Sequence, residues 1–293
     1  MQEVAGSSPA VPTTKIASVP FAGCDFLFYH DIERKQEMKY GVQMYSIKPV
    51  ASEDLRAALK AVADLGYKTV EFAGFFDKEA SDVRAWLDEY GLEPIATHTG
   101  LVKLDADNIA ATAEYHKAIG CDHIVVPSAN WSSLEGMEAS IAGLNFAAKF
   151  LADCGITVGF HNHSGEFHTQ AYGKMPMTEI IERTDVAIEP DVFWLFNAGV
   201  DPVEFLEKNK ARIRMIHMKD GIVPKDIVRT YKNPHEGAKG TAVGEGETPA
   251  KAICEWAQKN DVSIIVECEA KSADGGIDDI RRSIEFLRSL EQN

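Results

Sequence analysis

The segment GITVGFHNH (residues 155–163) shows the pattern that decides the fold. Gly155 follows a long helix-like stretch, a short apolar run follows the glycine, and His161 and His163 stand at the end of that run. Because glycine tolerates the left-handed conformation that closes a helix, the segment predicts a helix-to-strand turn. It also predicts a buried strand that ends in polar side chains.

Runs of this kind occur eight times from residue 38 onward, and helix-like stretches separate them. The runs are YGVQMYS, TVEFAG, PIATHTG, HIVVPS, TVGFHNH, VAIEPDVFW, RIRMIHMKD and SIIVECEA. Counted between their central residues, they are 29, 25, 30, 33, 30, 27 and 50 positions apart. A strand with its following helix takes about 30 residues, so the spacing indicates a repeated βα unit with one long insertion.

The number of repeats favours a closed parallel barrel over an open sheet. An open nucleotide-binding sheet usually carries a glycine-rich phosphate loop after its first strand, and this sequence contains neither GxGxxG nor a P-loop. We therefore predict an α/β fold, a single-domain (β/α)8 TIM barrel, with residues 38–293 as the catalytic domain. Residues 1–37 keep no period and are predicted to be a disordered or non-native N-terminal extension, with Met38 as the natural start.

Composition and charge disfavour several classes of protein. The 30 basic and 45 acidic residues give a net charge of −15, which argues against nucleic acid and anionic membranes as partners. No apolar run approaches the ~18 residues of a membrane helix, and no secretory signal is expected. The five cysteines are odd in number and widely spaced, so no disulfide framework is expected and the cytoplasm is the predicted location.

Side chains that bind metals or transfer protons stand where the predicted strands end. In a parallel barrel these ends meet at one mouth, which is where active sites lie. Residues two apart on a strand share a face, so His161 and His163 are expected to point the same way. The residues placed at strand ends are Glu71, His98, His161, His163, Glu166, Glu189, Asp191, His217, Lys219, Asp220, Glu267 and Glu269.

Such a cluster predicts a divalent metal ion. Buried carboxylates repel one another in a medium of low dielectric constant, and a cation relieves that repulsion. Mixed imidazole and carboxylate ligands suit transition metals better than Ca²⁺. We expect one ion, with Mn²⁺ favoured and Zn²⁺, Co²⁺, Fe²⁺ or Mg²⁺ as the alternatives. The competing interpretation is that each polar group pairs only with a neighbour at the rim.

From Met38 onward the chain resembles the xylose-isomerase-like TIM-barrel superfamily, the sugar phosphate isomerase/epimerase group. The motifs behind the resemblance are GVQMYS, GYKTVEFAG, HTGL, HNHSGEF, DVFW with AGVDP, HMKDG, GEGE and VECE, in this order. The resemblance implies one divalent metal held at the ends of strands five to eight, here by His161, Asp191, His217 and Glu267. The strand-five ligand is often a glutamate in this family, so His161 is a departure that leaves the acid/base assignment open.

The resemblance also implies chemistry on a polyhydroxylated carbonyl compound. We predict a metal-dependent isomerase or epimerase of a sugar, keto-sugar or sugar phosphate that removes a proton next to the carbonyl and forms an enediolate. Glu166 and His98 are the acid/base candidates, and Glu267 is expected close to the proton transfer. Lys219 is predicted either to polarise an oxygen or to form a salt bridge with a neighbouring carboxylate.

Other residues near the strand ends are predicted to contact a small carbohydrate. Glu71, His163 and Trp131 are the candidates for substrate binding, although Glu71 can equally pair at the rim. Aromatic side chains near the mouth are candidates for apolar walls against a sugar ring: Phe75, Phe76, Trp131 and Trp194. The long connection over 221–247 has the length of a lid. A homodimer is the expected assembly, although no sequence feature identifies an interface.

Three alternative functions remain open at this point. A lyase or dehydratase acting on a keto-glycoside or inosose shares the first proton abstraction and then expels a leaving group. A metal-dependent apurinic endonuclease uses a related barrel, but it needs a basic DNA-binding face and the net charge here is −15. The third alternative is a non-catalytic carbohydrate-binding barrel.

Overall fold

Each of the eight apolar runs contains a strand in the computed structural model, which describes residues 38–291. The barrel strands are β1 (Tyr40–Gln43), β2 (Thr69–Phe72), β3 (Glu93–His98), β4 (His123–Val126), β5 (Thr157–His161), β6 (Ala187–Glu189), β7 (Met215–Met218) and β10 (Ser263–Val266). A separate antiparallel hairpin comprises β8 (Asp220–Ile222) and β9 (Lys239–Thr241).

The barrel strands all pair in parallel, in the order β6-β5-β4-β3-β2-β1-β10-β7. Isolated bridges from Ile188 to Ile213 and from Asp191 to His217 connect the β6 segment to the β7 segment. Because β6 and β7 are the two ends of the sheet, these bridges nearly close the barrel. The predicted TIM barrel is confirmed. The predicted extension, residues 1–37, lies outside the described residues.

Helices connect successive strands and cover the outside of the barrel. They are α1 (Lys48–Glu53), α2 (Leu55–Asp64), α3 (Ala80–Tyr90), α4 (Ile109–Ile119), α5 (Leu134–Ala152), α6 (Pro176–Arg183), α7 (Val192–Asn197), α8 (Pro202–Asn209), α9 (Ala250–Asn260) and α10 (Ile277–Glu291). Gly91 and Gly120 end α3 and α4 with φ of 65° and 77°, as expected for helix-closing glycines. No helix within residues 38–291 is long and apolar enough to span a membrane.

Two apolar layers result from the alternation of side chains along the strands. One lies between the sheet and the helices and includes Phe160, Ile188 and Ile216. The other is a small buried cluster in which side chains from four strands meet: Ala96, Val125, Met215 and Ile265. Interior layers of this kind fill TIM barrels. We call this second cluster the barrel floor, because the polar site begins directly beyond it.

The insertion between β7 and α9 is held by one buried carboxylate. Asp220 is 1% exposed, and its two oxygens accept four backbone N–H groups at 2.8–2.9 Å. These groups belong to Gly221, Gly244, Gly246 and Thr248. The HMKDG and GEGE motifs therefore meet in one structural contact, which fixes the return of the insertion to the barrel.

Candidate active site

The first polar side chains beyond the barrel floor are His98, His217 and Glu267. Each stands two residues after a member of the floor on its own strand, so the pleat points it into the same interior. His217 and Glu267 are buried, and the side chain of His98 is only 11% exposed. The rings of His98 and His217 are stacked, with their centroids 5.1 Å apart. The barrel floor is thus the apolar base of a polar site.

His217 lies at the centre of the polar contacts. Its Nδ1 is 2.9 Å from Glu267 Oε2, and its Nε2 is 2.5 Å from Glu71 Oε2 and 3.2 Å from Glu189 Oε2. Burial disfavours a charged imidazole, but the carboxylates of Glu189 and Glu71 outweigh it and raise the pKa of His217 well above its usual value. His98 shares these partners, with Nε2 2.8 Å from Glu189 Oε2 and 3.4 Å from Glu71 Oε1.

The four residues that the resemblance implies as metal ligands come together in the structure. His161, Asp191, His217 and Glu267 each offer one ligand atom, and these atoms lie within 4.8 Å of one another. Atoms bound to one Zn²⁺-sized ion are about 2.0–2.3 Å from it and hence up to about 4.6 Å apart, which is close to this spacing.

The two oxygens of Asp191 have different surroundings. Asp191 is the N-cap of α7, and its Oδ1 accepts the Trp194 backbone N–H at 2.9 Å. Within residues 38–291, its Oδ2 is buried without a hydrogen bond, and Lys219 Nζ lies 4.0 Å away. A buried carboxylate oxygen without a hydrogen bond is a position that a bound cation satisfies.

The pKa values of the four groups in this set are shifted in different directions. Burial, reinforced by the charge of His217, lowers the pKa of His161 well below its usual value, so its imidazole is neutral, the form that binds metals. Burial raises the pKa of Asp191 to about 7. Burial also opposes the charge of Glu267, but Lys219 and His217 outweigh it and lower the pKa of that carboxyl. The set thus combines an imidazole of lowered pKa, His161, with one of raised pKa, His217. Its two carboxyl groups are likewise shifted in opposite directions, upward for Asp191 and downward for Glu267.

A second set of possible ligands overlaps the first. His98, His161, Glu189 and His217 also bring one ligand atom each within 4.8 Å of one another. In this set the imidazoles are already paired with Glu189 Oε2, at 2.8 Å from His98, 3.1 Å from His161 and 3.2 Å from His217. Within residues 38–291, each set holds a buried carboxylate oxygen without a hydrogen bond, Asp191 Oδ2 in the first and Glu189 Oε1 in the second. The first set is the better candidate for a cation, because the other oxygen of Glu189 already joins three imidazoles, whereas that of Asp191 accepts a backbone N–H.

Lys219 is a buried cation beside this cluster. It is 1% exposed, and its Nζ lies 2.8 Å from Glu269 Oε1 and 3.8 Å from Glu267 Oε2. It also lies 4.9 Å from the centroid of the Trp194 ring. Burial opposes the charge, yet Glu267, Asp191 and Glu269 outweigh burial and raise the pKa of Lys219. The ammonium group is therefore charged at neutral pH and anchored between carboxylates.

Glu166 is a buried acid held by two donors. It follows β5 in a short 3-10 turn (Ser164–Phe167) and is 5% exposed. Its Oε1 accepts Trp131 Nε1–H at 3.1 Å, and its Oε2 accepts the His163 backbone N–H at 2.9 Å. Burial raises the pKa of Glu166 to about 7, which is the range in which a carboxyl group can exchange protons at neutral pH.

The insertion contributes a histidine to the aromatic side of the site. The His235 ring is 4.3 Å from the Trp194 ring and 5.9 Å from the His163 ring, centroid to centroid. Asn197 Nδ2 donates to Pro234 O at 2.8 Å, which holds this part of the insertion against α7. Burial lowers the pKa of His163 to about 3, so that ring is neutral.

Two candidates for substrate contact have other partners in the structure. Glu71 is fully buried, and its Oε2 accepts from His217 Nε2. Trp131 is half-buried and uses its N–H on Glu166. Glu189 joins three imidazoles, and the sequence had placed it only on the same strand face as Asp191.

Comparisons with known proteins agree with this fold. The model of the xylose isomerase-like TIM barrel family matches residues 59–290. The inosose dehydratase of Geobacillus kaustophilus is 25% identical over 186 residues, which cover 55% of this chain but only 60% of that enzyme. The inosose dehydratase of Mesomycoplasma hyopneumoniae strain 7448 is 26% identical over 268 residues, which cover 80% of this chain and 87% of that enzyme.

A solved structure supports the same fold. The sugar phosphate isomerase/epimerase of Parabacteroides distasonis superposes with a TM-score of 0.67 at 23% identity, covering 85% of this chain and 98% of that chain. At this identity the likeness concerns the fold. Because the family model covers most of the chain, the chain belongs to the xylose isomerase-like TIM barrel family.

Proposed function

We propose that this protein is a metal-dependent isomerase or epimerase that moves a proton next to the carbonyl group of a keto-sugar. The single observation behind the proposal is the convergence of His161, Asp191, His217 and Glu267 within 4.8 Å, where Asp191 Oδ2 accepts no hydrogen bond from the described part of the chain. A purely structural cluster is expected to satisfy that oxygen internally.

The donor set fits a transition-metal ion. Two imidazoles and two carboxylates are the mixture that Mn²⁺, Zn²⁺, Co²⁺ and Fe²⁺ accept, and His217 resembles a typical ligand because its second nitrogen contacts the carboxylate of Glu71. When bound there, such an ion supplies positive charge that stabilises negative charge on the substrate carbonyl and hydroxyl oxygens. His161, Asp191, His217 and Glu267 are its proposed ligands.

Proton transfer is assigned to residues around this set. Glu166 in its ionised form takes the proton from the carbon next to the carbonyl, since its pKa of about 7 suits a base at neutral pH. His98 returns a proton, because the carboxylates of Glu71 and Glu189 outweigh burial and raise the pKa of its imidazole, which favours the protonated form. Lys219 stays charged and donates to a substrate oxygen. The neutral His163 is placed to bind a hydroxyl group.

A dehydratase is the second candidate function. The curated relatives named above are inosose dehydratases, and one of them aligns with 80% of this chain. An inosose is a cyclic polyhydroxylated ketone, and its dehydration begins with the same proton abstraction. The hydroxyl group on the next carbon then leaves as water, with His98 as the group that protonates it.

Solvent exchange tests both candidates. The Mn²⁺-loaded protein is incubated in D₂O with a panel of keto-sugars and with 2-keto-myo-inositol, and the products are followed by NMR. Deuterium in a rearranged sugar supports the isomerase or epimerase, and an unsaturated or dicarbonyl product supports the dehydratase. If the wild type exchanges deuterium into none of the compounds faster than the His217→Ala variant does, both candidate functions are contradicted.

A further inference from the structure

A cavity of about 520 Å³ lies beside the candidate active site, on the side of β2 and β3. Its walls come from the loop after β2, the segment after β3 and helix α4, and His98 is one of its lining residues. The His98 ring is 5.1 Å from the His217 ring and 4.8 Å from the His161 ring. His98 therefore separates this cavity from the residues proposed to bind the metal. The proposed chemistry does not use the cavity.

Aromatic rings and polar groups both line the cavity. The Phe75 and Tyr115 rings are 4.4 Å apart, and Tyr115 Oη donates to Lys78 O at 2.8 Å, which fixes the tyrosine ring. Both side chains are half-buried, so part of each ring faces the cavity. Asp77 and Lys103 add charged groups to the lining. Apolar ring faces with a few polar groups are typical of pockets for flat ring-shaped ligands.

The loop that forms one wall has a strained backbone. Phe76 and Asp77 are consecutive residues in the left-handed region, with φ of 51° and 57°. A bulky residue such as phenylalanine is rarely found there. The conformation is held by a turn in which Lys78 N–H donates to Phe75 O at 3.0 Å. Strain of this kind persists where the surrounding structure maintains it, and it concentrates at ligand sites.

We propose that this cavity is a subsite for a second ring, the aglycone of a keto-glycoside whose oxidised sugar ring reacts at the metal site. The inference rests on the proposed function. A single ring placed over Asp191, Glu267 and Lys219 occupies the β6, β7 and β10 side of the mouth, while the cavity opens on the β2 and β3 side, beyond His98. Only a substrate with a second ring reaches both places. The substrate class is therefore a glycoside rather than a free sugar.

A cavity-filling variant tests the subsite. Ala111 is an exposed residue of α4 that lines the cavity, and Ala118 is an exposed residue of the same helix outside the lining. Ala111→Trp fills the cavity, and Ala118→Trp is the matched control. The substrates are phenyl β-glucoside, cellobiose and methyl β-glucoside, each supplied as a set of derivatives with the ketone at carbon 2, 3 or 4 of the glucose ring, so that an aromatic ring, a sugar ring and no second ring are compared.

The expected readout is selectivity. In the wild type and in Ala118→Trp, kcat/KM is expected to be about tenfold higher for a two-ring substrate than for the methyl glycoside, the gain that one well-packed ring gives. In Ala111→Trp this preference is expected to disappear. Preference for phenyl indicates an aromatic aglycone, and preference for cellobiose indicates a sugar. Equal rates for all three glycosides, or a preference that survives Ala111→Trp, overturns the subsite.

A binding measurement separates failure of the subsite from failure of the proposed function. If no keto compound is turned over, the proposed function is wrong, and calorimetry with unreactive phenyl β-glucoside, cellobiose and methyl β-glucoside decides on the cavity. Tighter binding of a two-ring glycoside that is lost in Ala111→Trp and kept in Ala118→Trp supports the subsite. Equal or absent binding of all three compounds overturns it.

Discussion

Trp131 Nε1 donates a hydrogen bond to Glu166 Oε1 at 3.1 Å, which ties the segment after β4 to the turn after β5. The bond favours the ionised carboxylate, so it opposes the rise in the pKa of Glu166 that burial causes. Trp131→Phe is expected to raise that pKa further and to move the acid side of the kcat/KM profile to higher pH by about 1 pH unit, the value of one lost hydrogen bond.

Trp256→Phe is the matched control for this change. Trp256 Nε1 also donates to a carboxylate, Glu207 Oε2, at 2.9 Å, but it does so on helix α9. This control is expected to leave the pH profile unchanged. An unshifted acid limb in Trp131→Phe, or an equal shift in both variants, contradicts the proposed role of the indole.

The pH profile itself identifies the base. Burial raises the pKa of Glu166 to about 7, and a base acts only when ionised, so kcat/KM is expected to fall tenfold for each pH unit below about 7. Glu166→Gln removes the ionisable group. We expect kcat of that variant to fall about 10²–10⁴-fold, and we expect the acid limb of its pH profile, the fall of kcat/KM below about pH 7, to disappear. A limb that persists near pH 7 in Glu166→Gln assigns the base to another residue.

The barrel was predictable because strand spacing and helix-closing glycines are local features. The eight central residues used to count the repeat, from Gly41 to Ile265, all lie within barrel strands. The alternation of faces was also predictable, and it places His217 and Glu267 two residues beyond the barrel floor. Local patterns of this kind are enough to locate the strands, because parallel strands are buried on both faces and therefore appear in the sequence as nearly continuous apolar runs.

The detailed contacts of the site were not predictable, because they depend on the stagger between strands. Glu71 is in register with Ala96, two residues before His98, so it lies deeper than the mouth residues and reaches His217. Asp191 lies beyond the end of β6 and bridges to His217, whereas Glu189 stays within the strand. Sequence parity treats Glu189 and Asp191 alike, and only the tertiary structure shows that Glu189 Oε2 joins three imidazoles whereas Asp191 Oδ1 caps α7.

Asp191→Asn tests the proposed metal site. The variant keeps an oxygen to cap α7 but loses the negative charge, so metal affinity is expected to fall by at least about 100-fold, more than the loss of an outer-shell partner causes. Elemental analysis of purified protein reports this as loss of about one equivalent of metal. Asp201→Asn is the control, because Asp201 caps α8 through Oδ1 in the same way, accepting from Glu204 N at 3.0 Å.

The control distinguishes a ligand from a helix cap. Asp201→Asn is expected to retain the metal content of the wild type. If both variants lose metal to the same extent, capping rather than coordination explains the loss. If neither does, Asp191 is not a ligand and the second set, with Glu189, becomes the candidate site.

Asp220→Asn tests how the insertion is anchored. The carboxylate accepts four backbone N–H groups, and an amide in its place turns an NH₂ group toward two of those donors. Leaving buried donors unsatisfied is expected to lower the free energy of unfolding by about 2–3 kcal/mol. Urea denaturation measures the change. Asp226→Asn, at an exposed position of the same insertion, is expected to have little effect, and equal losses in the two variants contradict the anchoring role.

His235→Ala tests whether the insertion closes over the site. The His235 ring packs against Trp194 with the ring planes tilted by 35°, and the hydrogen bond from Asn197 Nδ2 to Pro234 O holds the same part of the insertion. Loss of one ring contact is worth about 1 kcal/mol, so KM is expected to rise about fivefold, with a smaller change in kcat. Trypsin is expected to cleave the insertion faster. Val228→Ala, at an 82% exposed position of the same insertion, is the control. If His235→Ala matches that control in both KM and cleavage rate, the insertion is not a lid over the substrate.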